Sequence, residues 1–129
     1  PVWNEIASYS WPAENAPRPV SFDPVSKLFE ALNTRQYAPV LDIYATNAVL
    51  VTPKQTIQGE TNIRTYYEQV IRTQLKRGDF RVTWKSIEDN IIQFRWTCTS
   101  QTGNVNDGRD TIGIKNNEII YHYSYFTIS

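Results

Sequence analysis

Hydrophobic residues recur at helical spacing through the first half of the chain. After Pro24, which follows an aspartate able to cap a helix, the apolar positions fall three and four residues apart at Val25, Leu28, Phe29 and Leu32. The stretch YAPVLDIYA predicts a second, short helix with Val40, Leu41 and Tyr44 turned inward. After Gly59, the stretch ETNIRTYYEQVIRTQLKRG predicts a longer helix that ends at Gly78. Between these helices, AVLVTP predicts a short strand that stops at its proline.

The second half of the chain changes to a period of two. The stretches FRVTWKSI and IIQFRWTCT alternate apolar and polar residues, which predicts strands with one buried face. The cluster TGNVNDG predicts a turn, and DTIGIK then predicts a third strand of this half. KNNE predicts a hairpin turn before the final strand, IIYHYSYFTI, which is apolar or aromatic on both faces. Three helices and a four-stranded antiparallel meander indicate an α+β fold.

The chain divides into an arm and one domain. Residues 1–21 are rich in proline, which excludes a long helix, and are predicted to form an extended arm that Trp3 and Trp11 anchor by packing. Residues 22–129 are predicted to form a single domain.

Charge and composition exclude several classes of function. The 129 residues contain 13 basic and 13 acidic side chains, a balance that argues against nucleic-acid binding and against a polybasic membrane anchor. No stretch approaches the ~20 apolar residues of a membrane span, and the N-terminus lacks the pattern of a signal peptide. Cys98 is the only cysteine, which excludes an internal disulfide and fits a reducing compartment. We therefore expect a soluble, cytoplasmic protein.

Three stretches resemble one known superfamily: LFEALNTRQYAPVLDIYATNAVLVTP, GETNIRTYYEQV and GRDTIGIKNNEIIYHYSYF. Their order and hydrophobic template resemble the NTF2-like superfamily, which includes SnoaL-like polyketide cyclases and ketosteroid isomerase. The resemblance implies a cystatin-like α+β cone, with three N-terminal helices packed on a strongly curved, mainly antiparallel mixed β-sheet. It covers residues from about 22 to the end of the chain, and it is more specific for the fold than for the reaction.

Comparison with ketosteroid isomerase shows which catalytic positions are altered. The position of its general base falls on Thr52, which cannot accept a C–H proton near neutral pH, and that of its oxyanion-hole tyrosine falls on Leu28. The position of its oxyanion-hole aspartate, which an apolar site keeps protonated, falls on Asp110. The supporting tyrosines fall on Tyr44 and Tyr67. The resemblance therefore implies a pocket but not steroid isomerase chemistry.

The period-two pattern assigns side chains to the interior of the cone. An apolar, aromatic cavity is typical of a small-molecule site, and the same composition is typical of an ordinary core. The side chains predicted to bind a ligand are Tyr44, Thr52, Tyr67, Trp84, Phe94, Trp96, Cys98, Ile112, Ser124 and Phe126.

The direction of His122, the only histidine, depends on the length of the KNNE turn. With a two-residue loop at 116–117, Asp110 lies opposite Tyr123 and His122 points away from the cone. With a three-residue loop, Asp110 lies opposite Ser124 and His122 points inward. The turn length matters because a shift of one residue exchanges the two faces of a strand. The family resemblance favours the inward arrangement.

An inward His122 beside Asp110 forms a candidate catalytic pair. The carboxylate would fix the imidazole tautomer for acid–base chemistry. The alternative is a structural pair that satisfies a buried carboxylate. Cys98 lacks an activating neighbour in sequence and is expected to be a buried small hydrophobe.

Two classes of function follow. The first is a small-molecule-binding SnoaL-like domain, which could act as a cofactor-independent isomerase, cyclase or dehydratase on a hydrophobic carbonyl or polycyclic compound. An epoxide-hydrolase reaction is disfavoured because residues 95–97 lack the required carboxylate. The second is a non-catalytic binding or assembly module that forms a homodimer through its outer sheet face, where Tyr121, Tyr123 and Tyr125 would lie. Neither class requires a metal or a cofactor.

Overall fold

The computed structural model describes residues 23–129, so the predicted arm and its packing lie outside the described residues. Three helices precede most of the sheet, as predicted, and the third continues into a wider, π-helical segment. The helical elements are α1 (Pro24–Thr34), α2 (Val40–Ile43), α3 (Glu60–Thr65), the π segment (Tyr66–Ile71) and α4 (Arg72–Gln74).

A six-stranded mixed sheet packs against these helices. The strands are β1 (Tyr44–Val51), β2 (Thr56–Gln58), β3 (Asp79–Glu88), β4 (Ile91–Thr99), β5 (Asn104–Lys115) and β6 (Glu118–Tyr125). Their order across the sheet is β2-β1-β6-β5-β4-β3, and every neighbouring pair is antiparallel except β1 and β6, which are parallel. The α+β architecture with a mainly antiparallel mixed sheet is thus confirmed.

Three boundaries differ from the predicted ones. Tyr44 was expected on the second helix but begins β1. No strand was expected between Pro53 and Gly59, yet residues 56–58 pair with β1 through backbone hydrogen bonds, which do not depend on apolar side chains. The cluster at 102–108 was expected to be a turn, but β5 already begins at Asn104, because the reversal is completed between Ser100 and Gly103.

Helix α1 begins at a strong cap and supplies the centre of the core. The Asp23 carboxylate accepts hydrogen bonds from the backbone N–H groups of Val25 and Ser26, and Pro24 occupies the first turn. Phe29 then meets aromatic rings of β3 and β4 edge to face, at centroid distances of 6.3 Å, 5.7 Å and 6.0 Å for Phe80, Phe94 and Trp96. The face of the sheet that α1 covers is called the inner face below, and the opposite one the outer face.

The π segment changes which side chains reach the interior. Its i→i+5 hydrogen bonds widen the turn by about one residue, so two consecutive side chains can face the sheet. Tyr66 and Tyr67 are both buried as a result, with their rings 5.5 Å apart.

A bulge in β3 turns Trp84 away from the interior. Val82 pairs with Trp96, but Trp84 pairs with Arg95, so Thr83 is the extra residue. Trp84 therefore lies on the outer face, with 46% of its surface exposed. The prediction that Trp84 lines the cone is wrong, because strict alternation along β3 fails at this bulge.

A second irregularity decides the direction of His122. The β5–β6 turn has only two residues, Asn116 and Asn117, both with positive φ, which is the form that was expected to point the histidine outward. Ile120 is an extra residue between the pairs Ile114–Ile119 and Gly113–Tyr121. It shifts the pairing so that Asp110 lies opposite Ser124, as a three-residue loop would have done. His122 consequently lies on the inner face.

Candidate functional site

The inner face carries a buried pair formed by Asp110 on β5 and His122 on β6. The imidazole Nε2 lies 2.6 Å from the carboxylate oxygen Oδ2. His122 is 1% exposed and Asp110 is 8% exposed, so solvent does not separate them. An ionised carboxylate only accepts hydrogen bonds, so Nε2 is the donor whenever Asp110 is ionised.

Two tyrosines extend the pair towards the helices. The Tyr44 hydroxyl lies 2.7 Å from the imidazole Nδ1 of His122 and 2.9 Å from the Tyr67 hydroxyl. The Tyr44 ring also stacks on the imidazole, with an interplanar angle of 15°. Both ring nitrogens of His122 are therefore engaged by other side chains of the protein.

Two further donors hold the carboxylate from the other side. The Trp96 indole N–H donates to Oδ1 of Asp110 at 2.8 Å, and the Ser124 hydroxyl donates to the same oxygen at 3.2 Å. The indole can take this position because Gly108 lies opposite Trp96, where a Cβ atom would overlap the ring. The buried network thus comprises Tyr67, Tyr44, His122, Asp110, Trp96 and Ser124, and it satisfies its buried polar groups internally.

Burial keeps the phenols of this region protonated at neutral pH. Loss of solvent raises the pKa of Tyr44 and of Tyr67 well above the ordinary value. Burial, with a smaller contribution from the charge of Asp110, raises the pKa of Tyr66 to about 12. Each phenol is therefore available as a hydrogen-bond donor.

A cavity of about 300 Å³ lies beside the network, between the π segment and the ends of two strands. We call it the mouth cavity. Its walls come from the π segment and α4, the loop after β1, and the residues that follow β6. It is lined by Thr52, Pro53, Lys54, Gln55, Tyr66, Val70, Gln74, Phe126, Thr127 and Ile128.

The predicted ligand-binding residues divide among this cavity, the core and, for Trp84, the outer face. Only Thr52 and Phe126 line the mouth cavity. The remaining inner-face residues are packed into the hydrophobic core or the buried network, and Ser124 is half-buried at its edge. The core members are Tyr44, Tyr67, Phe94, Trp96, Cys98 and Ile112. Aromatic rings fill the interior that the periodicity assigned to a pocket.

The mouth cavity contacts the network through its walls. The Tyr66 ring packs against Tyr67, and the Phe126 ring lies 5.3 Å from that of Trp96. Tyr67 and Trp96 are members of the network, whereas Asp110 and His122 do not line this cavity. A ligand in the mouth cavity would therefore touch the neighbours of the network rather than the acid–base pair.

Sequence reasoning did not assign Tyr66, Val70 and Ile128 to the site. The signal for Tyr66 was the pair of adjacent tyrosines in a helix, since a regular α-helix does not bury two consecutive large residues on one stripe. Ile128 had no such signal, because it lies beyond the last strand.

Cys98 is buried, as expected for a small hydrophobe. Burial, aided by the nearby charge of Asp79, raises the pKa of its thiol to about 11. The thiolate that nucleophilic chemistry requires is accordingly scarce at neutral pH.

Residues 23–129 contain no cluster of three or more histidine, cysteine, aspartate or glutamate side chains that could hold a metal ion. Within the same range, none of the helices has the length and apolar character that crossing a membrane requires.

A sequence profile of the SnoaL-like domain matches residues 25–122, which include both members of the buried pair. The chain belongs to the SnoaL-like domain family. This match confirms the resemblance that the sequence showed to the NTF2-like superfamily, which includes SnoaL-like proteins. No curated protein matches the chain.

Solved structures share the fold of this SnoaL-like domain at low sequence identity. An NTF2-like protein of unknown function from Cytophaga hutchinsonii has a TM-score of 0.69 at 16% identity, over 81% of this chain and 88% of its own. A candidate ketosteroid isomerase from Kribbella flavida has a TM-score of 0.70 at 12% identity, over 82% and 76%. An LEH-like epoxide hydrolase from M. tuberculosis has a TM-score of 0.66 at 12% identity, over 81% and 80%. At such identities the likeness shows the fold alone.

Proposed function

We propose that this SnoaL-like domain binds a small, mostly apolar molecule in the mouth cavity. The observation that carries the proposal is the cavity itself, whose volume of about 300 Å³ suits a small ligand. Pro53, Val70, Phe126 and Ile128 give it apolar and aromatic walls. Such walls favour a flat hydrocarbon body.

Tyr66 adds a directional polar group to these walls. It is 8% exposed and lines the mouth cavity. Its raised pKa, about 12, keeps the proton on the oxygen at neutral pH. A protonated phenol in an apolar cavity matches an acceptor such as a ketone oxygen. We therefore propose a hydrophobic carbonyl compound as the class of ligand.

The buried network supports this site from behind. Tyr67 fixes the ring on which Tyr66 rests, and Trp96 fixes the ring on which Phe126 rests. Hydrogen bonds through Tyr44, His122 and Asp110 link the two supports, so both walls of the cavity are tied to one rigid core. Catalysis by Asp110 and His122 stays a prediction, as does the homodimer.

The experiment uses a neutral probe and matched variants. 2-Acetonaphthone carries a ketone on a flat apolar body, and 2-ethylnaphthalene lacks the ketone. Binding is measured by isothermal titration calorimetry or, for weak complexes, by ligand-observed NMR. Val70→Trp should fill the cavity and abolish binding, whereas Gln69→Trp, at an exposed neighbouring position, should leave it intact. Tyr66→Phe should lower the affinity for 2-acetonaphthone about two- to tenfold and leave the affinity for 2-ethylnaphthalene unchanged.

Two results would overturn the proposal. One is equal binding of 2-acetonaphthone to the wild type and to Val70→Trp, once circular dichroism has shown that the variant is folded. The other is the absence of binding to the wild type at millimolar probe.

A further inference from the structure

A straight row of four side chains crosses the outer face of the sheet. Trp84 on β3 lies opposite Arg95 on β4, Arg95 lies opposite Arg109 on β5, and Arg109 lies opposite Tyr125 on β6. Directly opposed residues point to the same face, so these four side chains are neighbours. The row combines two guanidinium groups with two aromatic rings.

Each guanidinium covers one of the rings. The Arg95 guanidinium carbon lies 5.2 Å from the centre of the Trp84 ring, and that of Arg109 lies 4.5 Å from the centre of the Tyr125 ring. Stacking occupies the flat side of a guanidinium and leaves the N–H groups at its edge able to donate. The rings thus orient the arginines without consuming their hydrogen-bonding capacity.

No acidic residue lies on this row, and the exposed Asp107 lies two residues before Arg109 on β5. Like charges directly opposite each other destabilise a sheet. The salt bridges among residues 23–129 join other pairs, Arg81 with Asp79, Lys85 with Asp23 and His122 with Asp110. An anion held between Arg95 and Arg109 would remove this repulsion.

A second row of polar groups lies next to the first. Gln93, Thr111 and Tyr123 are paired across β4, β5 and β6 on the same face. Both rows border one cavity of about 470 Å³, which Val51 and Pro53 close at the β1 side. We call it the outer-face cavity. It offers an amide, a hydroxyl and a phenol beside the two guanidinium groups, and the largely buried Asp110 also borders it.

We propose that the outer-face cavity binds a small molecule with a carboxylate on a flat aromatic body. The carboxylate would accept hydrogen bonds from Arg95 and Arg109, and the body would lie along Trp84, Tyr123 and Tyr125. Arginine suits this task because its planar fork matches the two oxygens of a carboxylate. The outer-face cavity shares Thr52 and Pro53 with the mouth cavity and is otherwise lined by different residues, so the proposal does not depend on the function proposed there.

A second copy of the chain is the alternative occupant of this face, as the sequence predicts. A two-fold axis through the arginine row would bring the arginine pairs of both copies together. Like charges facing each other at an interface oppose association. The charge pattern accordingly favours an anion over a second copy at this row.

The test is calorimetric titration of the full chain with 2-naphthoate, and with the neutral 2-naphthalenemethanol as its matched control. We expect 2-naphthoate to bind more tightly than the neutral alcohol. Its affinity should fall as NaCl rises from about 50 to about 500 mM. The double variant Arg95→Gln/Arg109→Gln should lose about tenfold or more in affinity. Arg81→Gln, exposed on the same sheet but outside the lining of the outer-face cavity and paired with Asp79, should bind as the wild type does.

Five outcomes would overturn the proposal. The first three are no binding of 2-naphthoate at millimolar concentration, equal affinity for the neutral alcohol, and unchanged affinity of the double arginine variant. The fourth is a dimer, seen by light scattering, that the double arginine variant converts to a monomer, because the face would then be occupied by a second copy. A short glutamate-rich peptide that binds more tightly than 2-naphthoate would likewise replace the small molecule by an acidic protein segment.

Discussion

The Nε2 atom of His122 lies 2.6 Å from the Oδ2 atom of Asp110, at a position where the histidine is 1% exposed. The pair does not stand alone, since Tyr44 occupies the other ring nitrogen and Trp96 and Ser124 occupy the other carboxylate oxygen. A titratable pair with all its partners inside the protein contributes primarily to the order of the core. Its contribution can be measured through stability.

Asp110→Asn should destabilise the fold by about 1.5 to 3 kcal/mol. The amide would lose the charge that three donors share and would place an N–H group against one of them. Urea unfolding measures the change in free energy. Asp89→Asn, in an exposed turn with φ of 55°, is the matched control and should cost less than about 0.5 kcal/mol. Equal costs for the two variants would show that the buried network contributes nothing.

Tyr44→Phe should cost about 1 to 3 kcal/mol, because its hydroxyl bridges His122 and Tyr67 and its loss leaves the Nδ1 atom of His122 and the Tyr67 hydroxyl without a partner. Tyr37→Phe is the control, since Tyr37 is also buried but lies outside the network. A double-mutant cycle with Tyr67→Phe should show coupling between Tyr44 and Tyr67. Additive costs would contradict the hydrogen bond between them.

Gly108→Ala should destabilise the protein by about 1 to 3 kcal/mol, because the added methyl group overlaps the Trp96 ring. The cause can be separated from a loss of backbone freedom by adding Trp96→Phe. The smaller ring leaves room for the methyl group, so Gly108→Ala should cost less in that background than in the wild type. An unchanged cost in thermal or urea unfolding would rule out the steric explanation.

The ion pair of Asp23 and Lys85 should stabilise the fold near neutral pH and lose this effect in acid. Partial burial opposes ionisation, but hydrogen bonds from Lys85 and Ser26 outweigh it and lower the pKa of Asp23 below 3.8. A carboxyl whose pKa is lowered by folding contributes stability above its unfolded value and loses it as the pH falls through the folded value. Asp23→Asn keeps the helix cap and removes the charge.

Asp23→Asn should therefore cost less than about 1 kcal/mol at pH 7, because the pair is partly exposed, and its cost should shrink towards pH 2.5. Lys85→Gln should lose stability over the same pH range. Urea unfolding at several pH values tests both variants. A cost that grows as the pH falls would have the wrong sign for this ion pair.

Periodicity was sufficient to predict the layers of the fold. The helical spacing in α1 and the alternation in β4 gave the inner face correctly, because both elements are regular. The neighbourhood of Asp110 and His122 also followed from the family resemblance. These features depend on patterns repeated over many residues, which single irregularities do not erase.

Insertions of one residue could not be predicted. The bulge at Thr83 moved Trp84 to the outer face, and the bulge at Ile120 gave the inward register that a longer turn had been expected to supply. Backbone geometry at one residue decides such features, and several residue types tolerate it. The sequence also could not distinguish a hollow cone from a filled one, since aromatic residues suit both.

The most direct test of the proposed function is an NMR measurement of the wild type with 2-acetonaphthone. Intermolecular NOEs report contacts between ligand protons and named side chains. The mouth cavity predicts NOEs from the naphthalene ring to the Val70 methyl groups and to the Phe126 ring, with the acetyl methyl group near Tyr66. NOEs confined to Trp84 and Tyr123, or none at all at saturating probe, would contradict the proposal.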